Sequence, residues 1–168
     1  MFVSIFFANQ KIDKMKIKIW TVGKNHEGYV SEGIELFTKR INHYCETNWI
    51  LIPSSKASLP EIIKKEEGEM VLQRLQQEDY LILLDERGTN WNNQQIAKEI
   101  EKCQNIAVKQ LVFLIGGAYG VDSRIVNRAN ATWSLSKLVF PHMLVRLILA
   151  EQIYRSFTIL RNEKYHHI

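Results

Sequence analysis

Cysteine, proline and long apolar runs are scarce in this sequence, and each scarcity removes a class of protein. Only Cys45 and Cys103 occur in 168 residues, outside any CxxC, so they supply neither a disulfide framework nor a zinc site. A reducing cytosol suits such a chain. No apolar stretch approaches the roughly 20 residues that span a bilayer. The opening MFVSIFFANQKIDK lacks both a basic lead-in and a small-residue cleavage site, which argues against a signal peptide. Neither a GxGxxG nor a P-loop with its Lys and Ser/Thr is present, which rejects a dinucleotide or ATP site on motif grounds. No metal is expected, because His142, His166 and His167 lack the accompanying carboxylate or the His-x-x-x-His spacing of a metal-dependent hydrolase.

What is present suffices for one domain. With 46% hydrophobic residues the chain can bury one substantial core. Residues 1–14 read as an extra, disordered arm, and 15–168 as a single domain beginning at the second methionine, Met15. The net charge of +4 is unevenly spread: after Asp122 seven Lys/Arg face only Glu151 and Glu163, a balance of +5, which leaves −1 in the rest. That bias suits a polyanion such as RNA, although a solvated basic face would look the same.

Taken in order, KIKIWTV reads as a first strand ending at Gly23. Val30, Ile34, Phe37, Ile41 and Tyr44 then recur on one helical face. Trp49–Ile52 is a short strand stopped by Pro53. Ser58, Pro60 and Glu61 suggest a capping box opening a charged helix with a solvated face. YLILL at 80–84 is apolar throughout, as in a strand covered on both sides, with Asp85 as either a turn former or a ligand contact. Asn92–Cys103 reads as an amphipathic helix with Ile96 and Ile100 inward. Alternation of strand and helix indicates an α/β domain with a parallel sheet flanked by helices.

The stretch from Leu111 to Arg155 carries the chemistry. Val112–Ile115 reads as a buried strand running into Gly116-Gly117-Ala118-Tyr119-Gly120, a loop through which a ligand could approach the backbone. A short helix follows from about Asp122, then a strand at 131–135. The apolar loop 135–140 leads through Pro141, at a plausible first helical position, into a helix from His142 to Phe157. That helix is apolar almost all round, with Leu144, Leu147, Ile148 and Ile153 expected inside, so it wants a core or a partner subunit. Arg146 and Arg155 read as salt-bridged surface, Glu151 lying four residues before Arg155.

IGGAYG, the run WSLSKLVFPHMLVR followed by AEQIYR, VGK after the first strand, KEEGE before the third, and Tyr165-His166 near the end together resemble the ribosomal RNA large subunit methyltransferase H family of the SPOUT superfamily. The likeness covers Met15 to His167. Where related chains carry a basic residue after Tyr-His, this one has His167.

That resemblance implies an S-adenosylmethionine-dependent enzyme that methylates N3 of a pseudouridine in helix 69 of 23S ribosomal RNA. It implies a homodimer whose subunits share an active site, and a sheet whose C-terminal part is tied in a trefoil knot, a rare topology. Carried over by motif, the donor would lie against Leu84, against Gly116 and Gly117, and in the knot loop Leu135, Ser136, Lys137, Leu138, Val139 and Phe140. His142, Arg155 and His166, with Tyr165 beside them, would place RNA or handle the proton. A noncatalytic ribosome-associated RNA-binding protein is the rival reading, since the basic face alone would fit it.

Overall fold

The computed structural model describes residues 15–165, so the expected arm at 1–14, His166 and His167 lie outside the described residues. Five parallel strands form one sheet in the order β2-β1-β4-β3-β5. In chain order they are β1 (Lys16–Val22), β2 (Thr47–Ile52), β3 (Tyr80–Asn90), β4 (Gln110–Ile115) and β5 (Ala131–Ser134). Between and after them run α1 (Gly28–Ile41), α2 (Pro60–Leu72), α3 (Asn93–Asn105), α4 (Ser123–Arg128) and α5 (His142–Leu160).

The central strands β1 and β4 and the first half of β3 are buried on both faces, which is why they read as apolar runs. Ile17, Ile19, Ile82, Leu111 and Phe113 project to one side, against Ile41 of α1, Ile96 and Ile100 of α3, and Leu149, Ile153 and Phe157 of α5. Their neighbours Trp20, Leu81, Leu83, Val112 and Leu114 project to the other, against Val71 of α2 and Ile125 of α4. Each apolar side chain removed from water contributes about 1.5–3 kcal/mol, so these two clusters carry much of the driving force. Both cysteines are buried and free. Burial pushes the Cys45 thiol up to about 11 and that of Cys103 up to about 12, which leaves both unreactive.

Several sequence expectations need correction. The capping box at Ser58 does not form: Leu59 is the N-cap, with no side-chain hydrogen bond, and Glu61 pairs with Lys64 instead. Pro60 starts the helix one residue too late for Ser58 to reach its free amides. The true capping box is Asn92 with Gln95, each side chain accepting from the other's backbone N–H. The α2 charges are not all solvated, since Glu67 is buried. Pro141 is the N-cap of α5 rather than its first residue. Within α5, Leu149, Ala150 and Ile153 are fully buried, whereas Leu144, Leu147 and Ile148 are only half-buried. Arg146 is not surface at all: it is 0% exposed, on the face it shares with Leu149, Ala150, Ile153 and Phe157.

Sheet order positions the site. The chain moves inward from β3 to β4, then crosses to the far side of β3 to form β5. Connections leaving in opposite directions open a crevice beyond the carboxyl ends of the strands, where α/β sheets bind ligands. β3 also continues past Leu84 through an irregularity and pairs again with β5 at Thr89 and Asn90.

Candidate functional site

Beyond the ends of β3, β4 and β5 lies a cleft of about 730 Å³. Its walls include Leu84 and Asp85 from β3, the loop 116–121 after β4, Trp133 and Ser134 from β5, the loop after β5, and His142 and Val145 from α5. Mixed apolar side chains and exposed main chain in this volume match small-molecule sites, which span about 300–1,000 Å³.

The glycine loop is held from two sides. On one, His142 Nε2 lies 2.7 Å from the Gly116 carbonyl oxygen. A carbonyl only accepts, so Nε2 carries the proton, and in the neutral ring Nδ1 is left as an acceptor. Burial, followed by the nearby Arg146 guanidinium, pulls the His142 pKa below its ordinary value, while the Gly116 bond opposes that shift. On the other side, the buried carboxylate of Glu67 touches Gly117 so closely that any Cβ there would overlap it. Glu67 Oε1 accepts from the Ser55 N–H at 3.1 Å, and Oε2 has no partner among the described residues. Burial raises the Glu67 pKa. Gly117 is thus required by its neighbour.

Arg146 sits one turn beyond His142. Its Nη1 donates to the Lys24 carbonyl at 2.8 Å and lies 3.2 Å from His26 Nδ1, while Nε and Nη2 find no partner among the described residues. Desolvation lowers its pKa, and it lowers that of His26 in turn, second to burial. A buried cation with no ion-paired carboxylate among the described residues is costly, even though the Glu27 carboxylate partly offsets the shift, which marks this residue as constrained by more than packing. The spacing 146, 149/150, 153, 157 would have placed it inward; reading arginine as surface hid that signal.

The expected residues divide into groups. Leu84, Gly116, Gly117, Leu135, Ser136, Leu138, Val139, Phe140 and His142 all line the cleft. Leu138 and Val139 are strongly exposed, the latter at 87%, as for a wall with nothing packed on its outer side. Lys137 is exposed and not among the lining residues. Asp85 faces the cleft, yet its carboxylate is engaged by Arg87 through two bonds of 2.8 Å, which hold its pKa below the usual range. Arg155 is elsewhere. Its guanidinium bonds to Glu151 at 2.5 Å and lies over the Tyr165 ring at 4.8 Å, and the Tyr165 hydroxyl donates to Glu151 at 3.0 Å. Thirteen residues along α5 separate it from His142, about 20 Å of helix. One chain therefore does not bring Arg155 to its own cleft.

Of the basic residues after Asp122, Arg124 is tied to Asp122 and Glu69, and Arg128 donates to the carbonyls of Gln76, Gln77 and Asp79. Lys137, Arg161 and Lys164 remain exposed. No three His, Cys, Asp or Glu side chains converge as a metal site among the described residues, and no described helix is long and apolar enough to cross a membrane.

Residues 15–166 match the family model described as "Predicted SPOUT methyltransferase". The chain belongs to that family. Relatives named ribosomal RNA large subunit methyltransferase H, from Cytophaga hutchinsonii and Parabacteroides distasonis, are 42% and 43% identical to it. Each alignment covers 91% of this chain and 100% or 99% of the relative. A solved structure of a probable methylase family protein from Haemophilus influenzae superimposes with a TM-score of 0.56, covering 92% of this chain and 71% of that one. At 11% identity that likeness shows the fold alone. The SPOUT assignment also agrees with a parallel sheet whose cleft lies at its carboxyl edge.

Because the folded-state pKa of His142 is depressed, the unfolded chain binds more protons between that value and the ordinary histidine value of 6.5. Stability of this SPOUT protein should therefore rise with pH through that window, fall as pH drops through it, and show no further His142 contribution to the slope below it. Urea unfolding at several pH values should show a shallower dependence in His142→Gln; identical slopes would contradict a histidine held neutral by its site.

Proposed function

We propose that this chain is an S-adenosylmethionine-dependent methyltransferase acting on N3 of a pseudouridine in helix 69 of 23S ribosomal RNA. The observation that carries the donor assignment is the cleft itself, walled by two glycines, by the apolar ends of β3 and β4 and by the loop 135–140. Leu84, Leu135, Leu138 and Phe140 offer a slot for a flat adenine, and main-chain groups of 135–140 offer its polar contacts. Gly116 and Gly117 allow the rest of the donor to approach the backbone. Glu86 adds one carboxylate to the cleft wall, Asp85 being paired with Arg87. The strand crossing between β4 and β5 supports reading the C-terminal part as the trefoil knot. The relatives' names support ribosomal RNA as substrate, and the exposed Lys137, Arg161 and Lys164 are available for phosphates.

S-adenosylmethionine, when bound, supplies an electrophilic sulfonium methyl. The protein's part is alignment and exclusion of water around the attacking nitrogen. His142 stays neutral at physiological pH, and its Nδ1 is the acceptor best placed to take the imide proton. Arg155, Tyr165 and His166 would place the nucleotide. Since Arg155 lies about 20 Å from His142 along one helix, the two can meet only across a dimer. Half-buried Leu144, Leu147 and Ile148 on α5 support a homodimer that covers them. Buried, reduced cysteines suit a protein working on ribosomes in the cytoplasm.

Calorimetry with S-adenosylmethionine should show binding to the wild type and its loss in Gly116→Trp, with the fold checked by circular dichroism. Equal binding in both, or none in either, would favour the noncatalytic RNA-binding reading. Co-refolding His142→Ala with Arg155→Ala should restore about a quarter of wild-type activity, because half the dimers are mixed and each holds one intact site. No restoration would rule out the shared site.

A further inference from the structure

Four charged side chains line the cleft: Lys64, Asp85, Glu86 and Arg87. Asp85 and Arg87 neutralise each other. Lys64 and Glu86 remain, on different walls. Glu86 belongs to β3, whereas Lys64 belongs to α2 and also borders the small recess behind Gly117, Gly120 and Val121. Lys64 is therefore the cation at the glycine-loop end of the cleft; Glu67 and Asp122 border the same recess, but neither lines the cleft itself.

Its ion pair among the described residues is easily surrendered. Lys64 Nζ lies 2.7 Å from Glu61 Oε1, but the Glu61 side chain is 85% exposed against 27% for Lys64, and Glu61 is no part of the cleft lining. An i,i+3 pair with so exposed a partner is weak. Glu61 also lies in the first turn of α2, where the helix N-terminus stabilises a carboxylate without help. Turning Lys64 toward a ligand costs little.

We infer that Lys64 binds the α-carboxylate of the methyl donor's amino-acid portion, a role that rests on the donor reading above. That carboxylate is the donor's one anionic group. With the adenine in the apolar loop 135–140, the amino-acid end extends toward the glycine loop, where Lys64 stands. The other cations cannot serve: Arg87 is held by Asp85, Arg146 is fully buried, and Lys137 lies off the lining. Lys64 thereby selects a donor with an intact amino-acid arm over a truncated nucleoside.

The test is calorimetry on the full chain with two probes: S-adenosylhomocysteine, which has the arm, and 5′-methylthioadenosine, which lacks it. Lys64→Met should weaken the first about tenfold, the loss of one charge-assisted contact, and leave the second within about twofold. Lys64→Arg should recover the first, and Glu61→Gln should leave it unchanged or tighter. Equal weakening of both probes, or of neither, overturns the inference. So does unchanged S-adenosylhomocysteine affinity combined with a shallower salt dependence of ribosome binding, which would assign Lys64 to an RNA phosphate. A wild-type protein that binds neither probe would instead sink the donor reading itself, and the inference with it.

Discussion

The clamp on the glycine loop is the contact on which the site depends. His142 Nε2 donates to the Gly116 carbonyl from the start of α5, while the Glu67 carboxylate of α2 presses on Gly117 from behind. Three elements remote in sequence thus meet at the end of β4. Their positions follow from the sheet: α5 packs on one face with α1 and α3, α2 on the other with α4, and both reach the carboxyl edge beside the same loop.

The clamp carries an electrostatic cost. Among the described residues, Glu67 Oε2 is buried and unpartnered, and Arg146 brings a guanidinium into the core with two of its nitrogens unbonded. Both features disfavour the folded state, and both stand within a turn or so of the cleft. Buried polar groups that a well-packed apolar side chain could replace are commonly kept for positioning. Here Arg146 fixes the segment after β1 through the Lys24 carbonyl, and together with burial it holds His142 and His26 neutral.

Much of this was legible in the sequence where local rules and tertiary context agree. The five strands, the α/β alternation and the glycine loop followed from apolar runs ended by turn residues. Legibility failed where one residue decided a helix start, as at Ser58 and Pro141, because capping depends on geometry finer than pattern. It failed again where a charged residue lies inside, as at Glu67 and Arg146, because hydropathy assigns charge to solvent. The continuation of β3 past Leu84 was hidden by Asp85-Glu86-Arg87-Gly88, whose turn-like composition here forms a strand irregularity opposite β5. The grouping of Leu84, Gly116 and the 135–140 loop came from motif resemblance, since no periodicity brings three strand ends together.

The proposed function, a methyl-donor cleft shared by two subunits and aimed at a ribosomal base, makes one demand above the rest. Ribosomes from a strain lacking this activity should be incubated with the protein and S-adenosylmethionine, and the modified nucleotide mapped by mass spectrometry. The account predicts a single added methyl on N3 of a pseudouridine in helix 69; no transfer, or a methyl on any other base, would contradict it.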